Sequence, residues 1–163
     1  MNFLDRTAST AKAAHIGFQV EEPQWRAANL TILRRAARHT LASCHRAGGL
    51  TVLLANDERL QGLNRQFRGT AKPTNVLSFP ALTGDQGYLG DIAIAFGATQ
   101  REAASAMKPL TDHAAHLVVH GVLHLLGYDH ESAGEAHTME GLEVAILEQV
   151  GVGNPYAGPI TAE

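Results

Sequence analysis

The run from His120 to His130, HGVLHLLGYDH, places three imidazoles at intervals of four and six residues, with Gly127 between the second and third. Four helical residues rise about 6 Å and return to nearly the same face, so His120 and His124 can offer ring nitrogens to one point in space. Gly127 supplies a stop, because a helix can close there in a left-handed cap and the chain can swing back. His130 is then carried toward the same point. Three neutral imidazoles with one position left for water form the arrangement of a catalytic zinc site, not a structural one. A lone histidine on an apolar helix face is ordinarily a hydrogen-bonded core residue. Three of them around a helix-ending glycine restrict the chain to a helix, a turn and a return joined by one cation.

His113 and His116 lie upstream on the same stripe, and His116 to His120 is also a four-residue step. Only the pair His120 and His124 is followed by a turn residue that can return a third ligand. His113 and His116 are therefore assigned to the core, the helix face or a shell that supports the ligands. The spacing coincides with that of the metzincin proteases, HExxHxxGxxH, but Gly121 stands where their general-base glutamate follows the first histidine. The metal-holding part is present and the peptide-cleaving base is absent. Such a site suits a substrate that needs mainly charge stabilisation, and phosphodiesters fit that description.

The chain has 163 residues, enough for one domain with a substantial core. No apolar run approaches the length needed to span a bilayer, and the first fifteen residues lack the apolar stretch of a secretory signal. These features place the protein in the cytoplasm without a membrane partner. Cys44 is the only cysteine, compatible with a reducing compartment, and its helical Ala/Leu surroundings suit a small core residue. The net charge of -3 hides an asymmetry: residues 26 to 72 hold nine of the thirteen Lys and Arg but only two acids, a local +7 against -10 elsewhere. A basic region beside an acidic remainder suits a protein that holds a phosphate backbone on one face, although a solvated helix surface has the same composition.

Hydrophobic periodicity orders the elements. His15 to Glu21 alternates as a strand, and Gln24 to Ala47 reads as one basic amphipathic helix after Pro23, ending at Gly48 and Gly49. Leu50 to Ala55 reads as a buried strand, and Asn56 or Asp57 caps a helix carrying Leu60, Leu63 and Phe67. Asn75 to Phe79 and Tyr88 to Ala95 read as antiparallel strands joined through a turn marked by Gly84 and Gly87. Helices follow from about 98 to 107, from about 111 to 126, and from a capping box at Ser132 and Glu135 to about Val150. The order β-α-β-α-β-β-α-α-α predicts an α/β (α+β) fold: a small mixed sheet packed with about five helices, one of them a zincin-like metal helix.

Four stretches, NRQFRG at Asn64 to Gly69, TNVLSFP at Thr74 to Pro80, LGDIAI at Leu89 to Ile94 and the histidine run, together resemble the YbeY family of bacterial endoribonucleases. In order and spacing they cover the chain from about residue 50 to Tyr156, and the ending GNPY is also similar. The resemblance implies a four-stranded mixed sheet in a single metal-dependent hydrolase domain over residues 15–156. An N-terminal extension at residues 1–14, expected to be disordered, and a tail at 157–163 would flank it. It further implies one zinc ion per chain on His120, His124 and His130, and a single-strand-specific endoribonuclease. The implied roles are maturation of the 3′ end of 16S ribosomal RNA and ribosome quality control, with single-stranded ribosomal RNA and the small ribosomal subunit and its proteins as partners. Arg68 matches the arginine of the family's F-R-G element. Asn75 stands where many members carry aspartate.

Zinc lowers the pKa of bound water to near 7, for attack on a phosphodiester or for removal of a ribose 2′-hydroxyl proton. Arg68, always charged and able to bond two oxygens at once, would clamp the phosphate and stabilise its growing charge; a salt bridge at a helix end is its plainer role. Lys72 is a second, weaker phosphate candidate. Asp129 could orient a ligand histidine or bond turn amides, and Tyr128 suits packing. Three imidazoles also suit nickel, iron or copper. The competing functions are a non-catalytic ribosome assembly factor with a structural metal and, ranked below it, a metallopeptidase.

Overall fold

Strands β2 (Gly49–Ala55) and β4 (Tyr88–Ala95) lie at the centre of one mixed sheet, flanked by β1 (Ile16–Val20) and β3 (Val76–Pro80) in the order β1-β2-β4-β3. In the computed structural model, residues 15–82 and 87–157 are described. The expected extension at 1–14, the turn residue Gly84 and tail residues 158–163 lie outside the described residues. β1 runs parallel to β2 and β2 to β4, whereas β3 is antiparallel to β4, as the short connection requires. Every residue of β2 is buried, which explains its continuous apolar run: both faces are covered.

The helices among the described residues are α1 (Leu30–Ser43), α2 (Asp57–Arg68), α3 (Phe96–Ser105), α4 (Leu110–Leu125) and α5 (Ala133–Gln149). Strand alternation sorts the core into two parts. Leu50, Val52, Leu54, Ile92 and Ile94 join α1, α4 and α5 in the larger cluster, and Leu53, Ala55, Ala93, Ala95, Leu77 and Phe79 join Leu60 and Leu63 of α2 in the smaller. The basic stretch is thereby divided. Arg34, Arg35 and Arg38 belong to α1 on one side of the sheet, and Arg59, Arg65 and Arg68 belong to α2 on the other. Arg34 bonds the Ile16 carbonyl and covers the Phe18 ring at 5.2 Å, and Arg59 pairs with Glu21 at 3.3 Å. A single phosphate-binding face does not follow from the composition.

The helix expected over Gln24 to Ala47 is two elements. A 3-10 turn occupies Pro23–Ala27, Ala28 is extended, and Asn29 opens α1 by accepting from the amides of Thr31 at 3.1 Å and Ile32 at 3.3 Å. The break lets Trp25 turn inward, where its indole donates to the Ala55 carbonyl at 2.9 Å and its ring meets Phe96 edge-on. The far end stops short of Gly48 because His45 adopts a left-handed φ of 52°, and the amides of His45 and Arg46 close onto Ala42 and Leu41. This is a Schellman closure without glycine.

Helix α4 is buried along most of its circumference, through Leu117, Val118, Val119, Val122 and Leu123. It comes close to the sheet at Gly121: a Cβ there would lie 3.0 Å from Ile92 Cγ2 and 3.3 Å from Ser78 Oγ. The Ser78 hydroxyl donates to the Gly121 carbonyl at 3.0 Å. The missing glutamate therefore has a packing cause, since any side chain at position 121 would press into β3 and β4. Gly121→Glu should lower stability by about 3 kcal/mol through overpacking and burial of charge, read in urea melts, and should create no peptidase activity. Wild-type stability in this variant would contradict the close approach.

Candidate metal centre

The last turn of α4 and the segment after it build the cluster. The Nε2 atoms of His120 and His124 lie 3.1 Å apart, and the His130 ring is 5.5 Å from the first ring and 5.1 Å from the second. One donor atom from each of the three comes within 4.8 Å of the others. Gly127, at φ 99°, donates its amide to the His124 carbonyl at 3.0 Å, and Tyr128 donates to Leu123 at 3.0 Å. These are the two hydrogen bonds of a Schellman closure, which reverses the chain and delivers His130. The Asp129 carboxylate accepts the His130 amide at 2.7 Å, so it braces the turn through backbone, and its charge also acts on the His124 ring.

Glu143, on α5, escaped sequence reasoning. It is fully buried, and its carboxylate faces His120 Nδ1 at 2.6 Å, His116 Nε2 at 3.3 Å and the Tyr156 hydroxyl, which donates to it. Burial alone would raise its pKa, but the hydrogen bonds from His116, His120 and Tyr156 outweigh burial and hold it at about 2. Ionised Glu143 fixes the His120 proton on Nδ1 and leaves Nε2 as the free lone pair. This carboxylate–histidine arrangement orients and strengthens a metal ligand. In return, burial and then the hydrogen bond and charge of Glu143 push the Tyr156 hydroxyl well above the ordinary tyrosine range.

His116 is thus occupied by Glu143 and Tyr156. His113 meets Glu102 at 2.8 Å. Glu102 also accepts from the Asn75 amide at 2.9 Å; aspartate at 75 would set two carboxylates against each other, which gives the asparagine a local cause. Cys44 and Tyr128 pack against the main core and do not line the cleft.

The three histidines line a cleft of about 580 Å³, whose wall also includes Asn64, Arg68, Ser78 and Glu131. Arg68 donates through Nη2 to the Ser78 carbonyl at 2.6 Å, and its guanidinium carbon lies 5.7 Å from the Phe79 ring centre. Of the nine cations between residues 26 and 72, Arg68 alone lines this cleft among the described residues. Lys72 is exposed on the following loop, where Asn64 holds its carbonyl at 2.8 Å, and it is not part of the cleft wall.

The donor set fits a small, borderline cation. Ligands about 2.05 Å from a tetrahedral centre lie about 3.3 Å apart, close to the 3.1 Å between the two Nε2 atoms. Burial first, then the nearby His120 and His130 rings, lowers the His124 pKa. A neutral His124 presents a lone pair instead of a proton, as metal binding requires.

A mixed four-stranded α/β domain with a three-histidine cluster in the wall of a cleft is the class that fold and site define. Comparison with known proteins places it further. The endoribonuclease YbeY family profile matches residues 12–151. The chain is 44% identical over 168 residues to endoribonuclease YbeY of Rhodopseudomonas palustris, covering 96% of this chain and 87% of the relative. It is 42% identical to that of Dinoroseobacter shibae, covering 90% and 93%. The solution structure of TM1509 from Thermotoga maritima superposes with a TM-score of 0.55 at 22% identity, over 88% of this chain and 98% of that one, and shares the fold. The chain belongs to the YbeY endoribonuclease family.

Glu143→Gln should weaken zinc binding about 10- to 100-fold, measured by competition with a chromophoric chelator. The metal-free protein supplies an independent readout. Because the folded-state pKa of Glu143 lies near 2, below the usual 4.5, the stabilisation is complete above the unfolded value and is lost as pH falls toward 2. Wild type should be more stable than Glu143→Gln above pH 5, and the gap should close on acidification. A gap that is independent of pH would contradict the ionised carboxylate.

Proposed function

We propose that the chain is a zinc-dependent, single-strand-specific endoribonuclease. Its role is maturation of the 3′ end of 16S ribosomal RNA and ribosome quality control in the cytoplasm, on RNA presented by the small ribosomal subunit and its proteins. Residues 15–156 are taken as a single hydrolase domain. Family membership supports the endoribonuclease class. No helix among the described residues is long and apolar enough to cross a membrane. The observation that carries the reading is that Arg68 and three histidines able to hold one cation line the same cleft.

His120, His124 and His130 would hold one zinc per chain, which when bound supplies a Lewis acid and a water of lowered pKa. The protein's own groups do the rest. Glu143 keeps His120 in the tautomer that presents Nε2. The Ser78 carbonyl holds one arm of Arg68, leaving other N–H groups of the guanidinium for two phosphate oxygens. A fixed donor aimed at developing charge needs no reorganisation during reaction. Lys72, outside the cleft wall, would add a peripheral charge along the RNA backbone. The metzincin base is the glutamate that follows the first ligand histidine, and the close packing at Gly121 disfavours a side chain there.

Metal-replete protein should cleave a small-subunit RNA precursor, and chelator-stripped protein and His124→Ala should not. Arg68→Ala should cut about 10²- to 10³-fold more slowly, as for loss of one transition-state donor. Cleavage that survives the chelator and both substitutions would overturn the reading. Subunit binding without cleavage by replete protein would favour the assembly-factor role.

A further inference from the structure

Helix α2 carries its apolar stripe one residue further than the sheet can cover. Leu60 and Leu63 are 0% and 2% exposed, yet Phe67, next on the same stripe, is 45% exposed. The helix outruns its support there. The Phe67 ring is nonetheless held in place, edge-on to Phe79 with centres 5.6 Å apart at 67°.

Its position is informative. Asn64 and Arg68 line the catalytic cleft, and Phe67, three residues from the one and adjacent to the other, flanks that stripe on the helix surface. The Arg68 guanidinium and the Phe67 ring both rest against Phe79. A cation for phosphate and a half-exposed aromatic ring thus stand side by side on α2, next to the cleft.

We propose that Phe67 is a stacking platform for an unpaired nucleobase next to the phosphate held by Arg68. This rests on the endoribonuclease reading and deepens it by naming a source of strand discrimination. A base in a duplex is already stacked and cannot lie flat on a side chain, whereas a single strand can splay its bases onto aromatic rings. A half-exposed ring braced against Phe79 meets that need at little entropic cost. The platform selects a base of any identity, since every base has a π-face.

The test compares affinities of intact, metal-loaded protein at fixed ionic strength for three short labelled probes. These are a single-stranded RNA blocked against cleavage at each 2′ position, the same RNA as a duplex, and a strand of equal phosphate number lacking bases. Wild type should prefer the first. Phe67→Leu, which keeps an apolar contact with Phe79 but loses the π-face, should bind the single strand about tenfold more weakly and should no longer distinguish it from the abasic strand. Phe67→Trp should restore the preference. The salt slope should be the same in all three proteins because their phosphate contacts are unchanged, and thermal melts establish that each is folded.

Leucine and wild-type proteins binding the single strand equally would overturn the platform, as would wild type binding the abasic strand as tightly. Unchanged oligonucleotide affinity with weakened subunit association would assign Phe67 to a protein contact and also overturn it. Arg68→Ala separates the two readings: it should weaken all probes and reduce the salt slope by about one. If it does neither while Phe67→Leu loses the single strand, the phosphate role of Arg68 fails and the stacking role of Phe67 stands without it.

Discussion

A fully buried carboxylate between two helices is where the packing of this protein and the chemistry of its cleft meet. Glu143 projects from α5 into the polar stripe of α4, and without a partner its charge would be strongly unfavourable there. His116, His120 and Tyr156 supply that partner set. The compensation works in both directions. The histidines keep Glu143 ionised, and Glu143 keeps His120 in the orientation and tautomer that a cation needs. The C-terminal segment joins the same cluster through Tyr156, so the last helix and the residues after it are tied to the cleft.

Around that anchor, the walls of the cleft come from two helices, a turn and a strand. Helix α4 contributes two imidazoles on a rigid scaffold, the closure at Gly127 contributes the third, β3 contributes Ser78, and the end of α2 contributes Arg68. Ser78 touches both sides, donating its hydroxyl to Gly121 and lending its carbonyl to Arg68. The distance between the arginine and the histidine cluster is thereby set by strand packing. Gly121 is what allows α4 to seat on that strand, so one small residue both positions the cluster and leaves the peptidase base out.

The histidine run was legible because its geometry is local. Two ligands are one helical turn apart, and the third follows a glycine whose left-handed closure has a well-understood form. Glu143 was not legible. It lies 23 residues beyond His120, and nothing in a helix of mixed polarity marks one glutamate as inward-facing. The mixed sheet and the antiparallel pairing of β3 with β4 likewise came through, since β2 reads as a buried apolar run and the last two strands are joined by a short connection. The break at Asn29 did not, because Asn is a cap only if the preceding chain turns away, and that depends on where Trp25 is buried. Charge density was correctly read and wrongly pooled: one segment supplies helices to opposite sides of the sheet. Phe67 fits the inward stripe by period, and only the sheet's limited extent leaves it open.

X-ray absorption at the zinc edge of the purified, metal-loaded protein examines the shared cation most directly. The account requires one zinc per chain with three imidazole nitrogens at about 2.0 Å and one further oxygen, and loss of that signature in His130→Ala. A shell of four protein ligands, or an unaltered spectrum in His130→Ala, would contradict it.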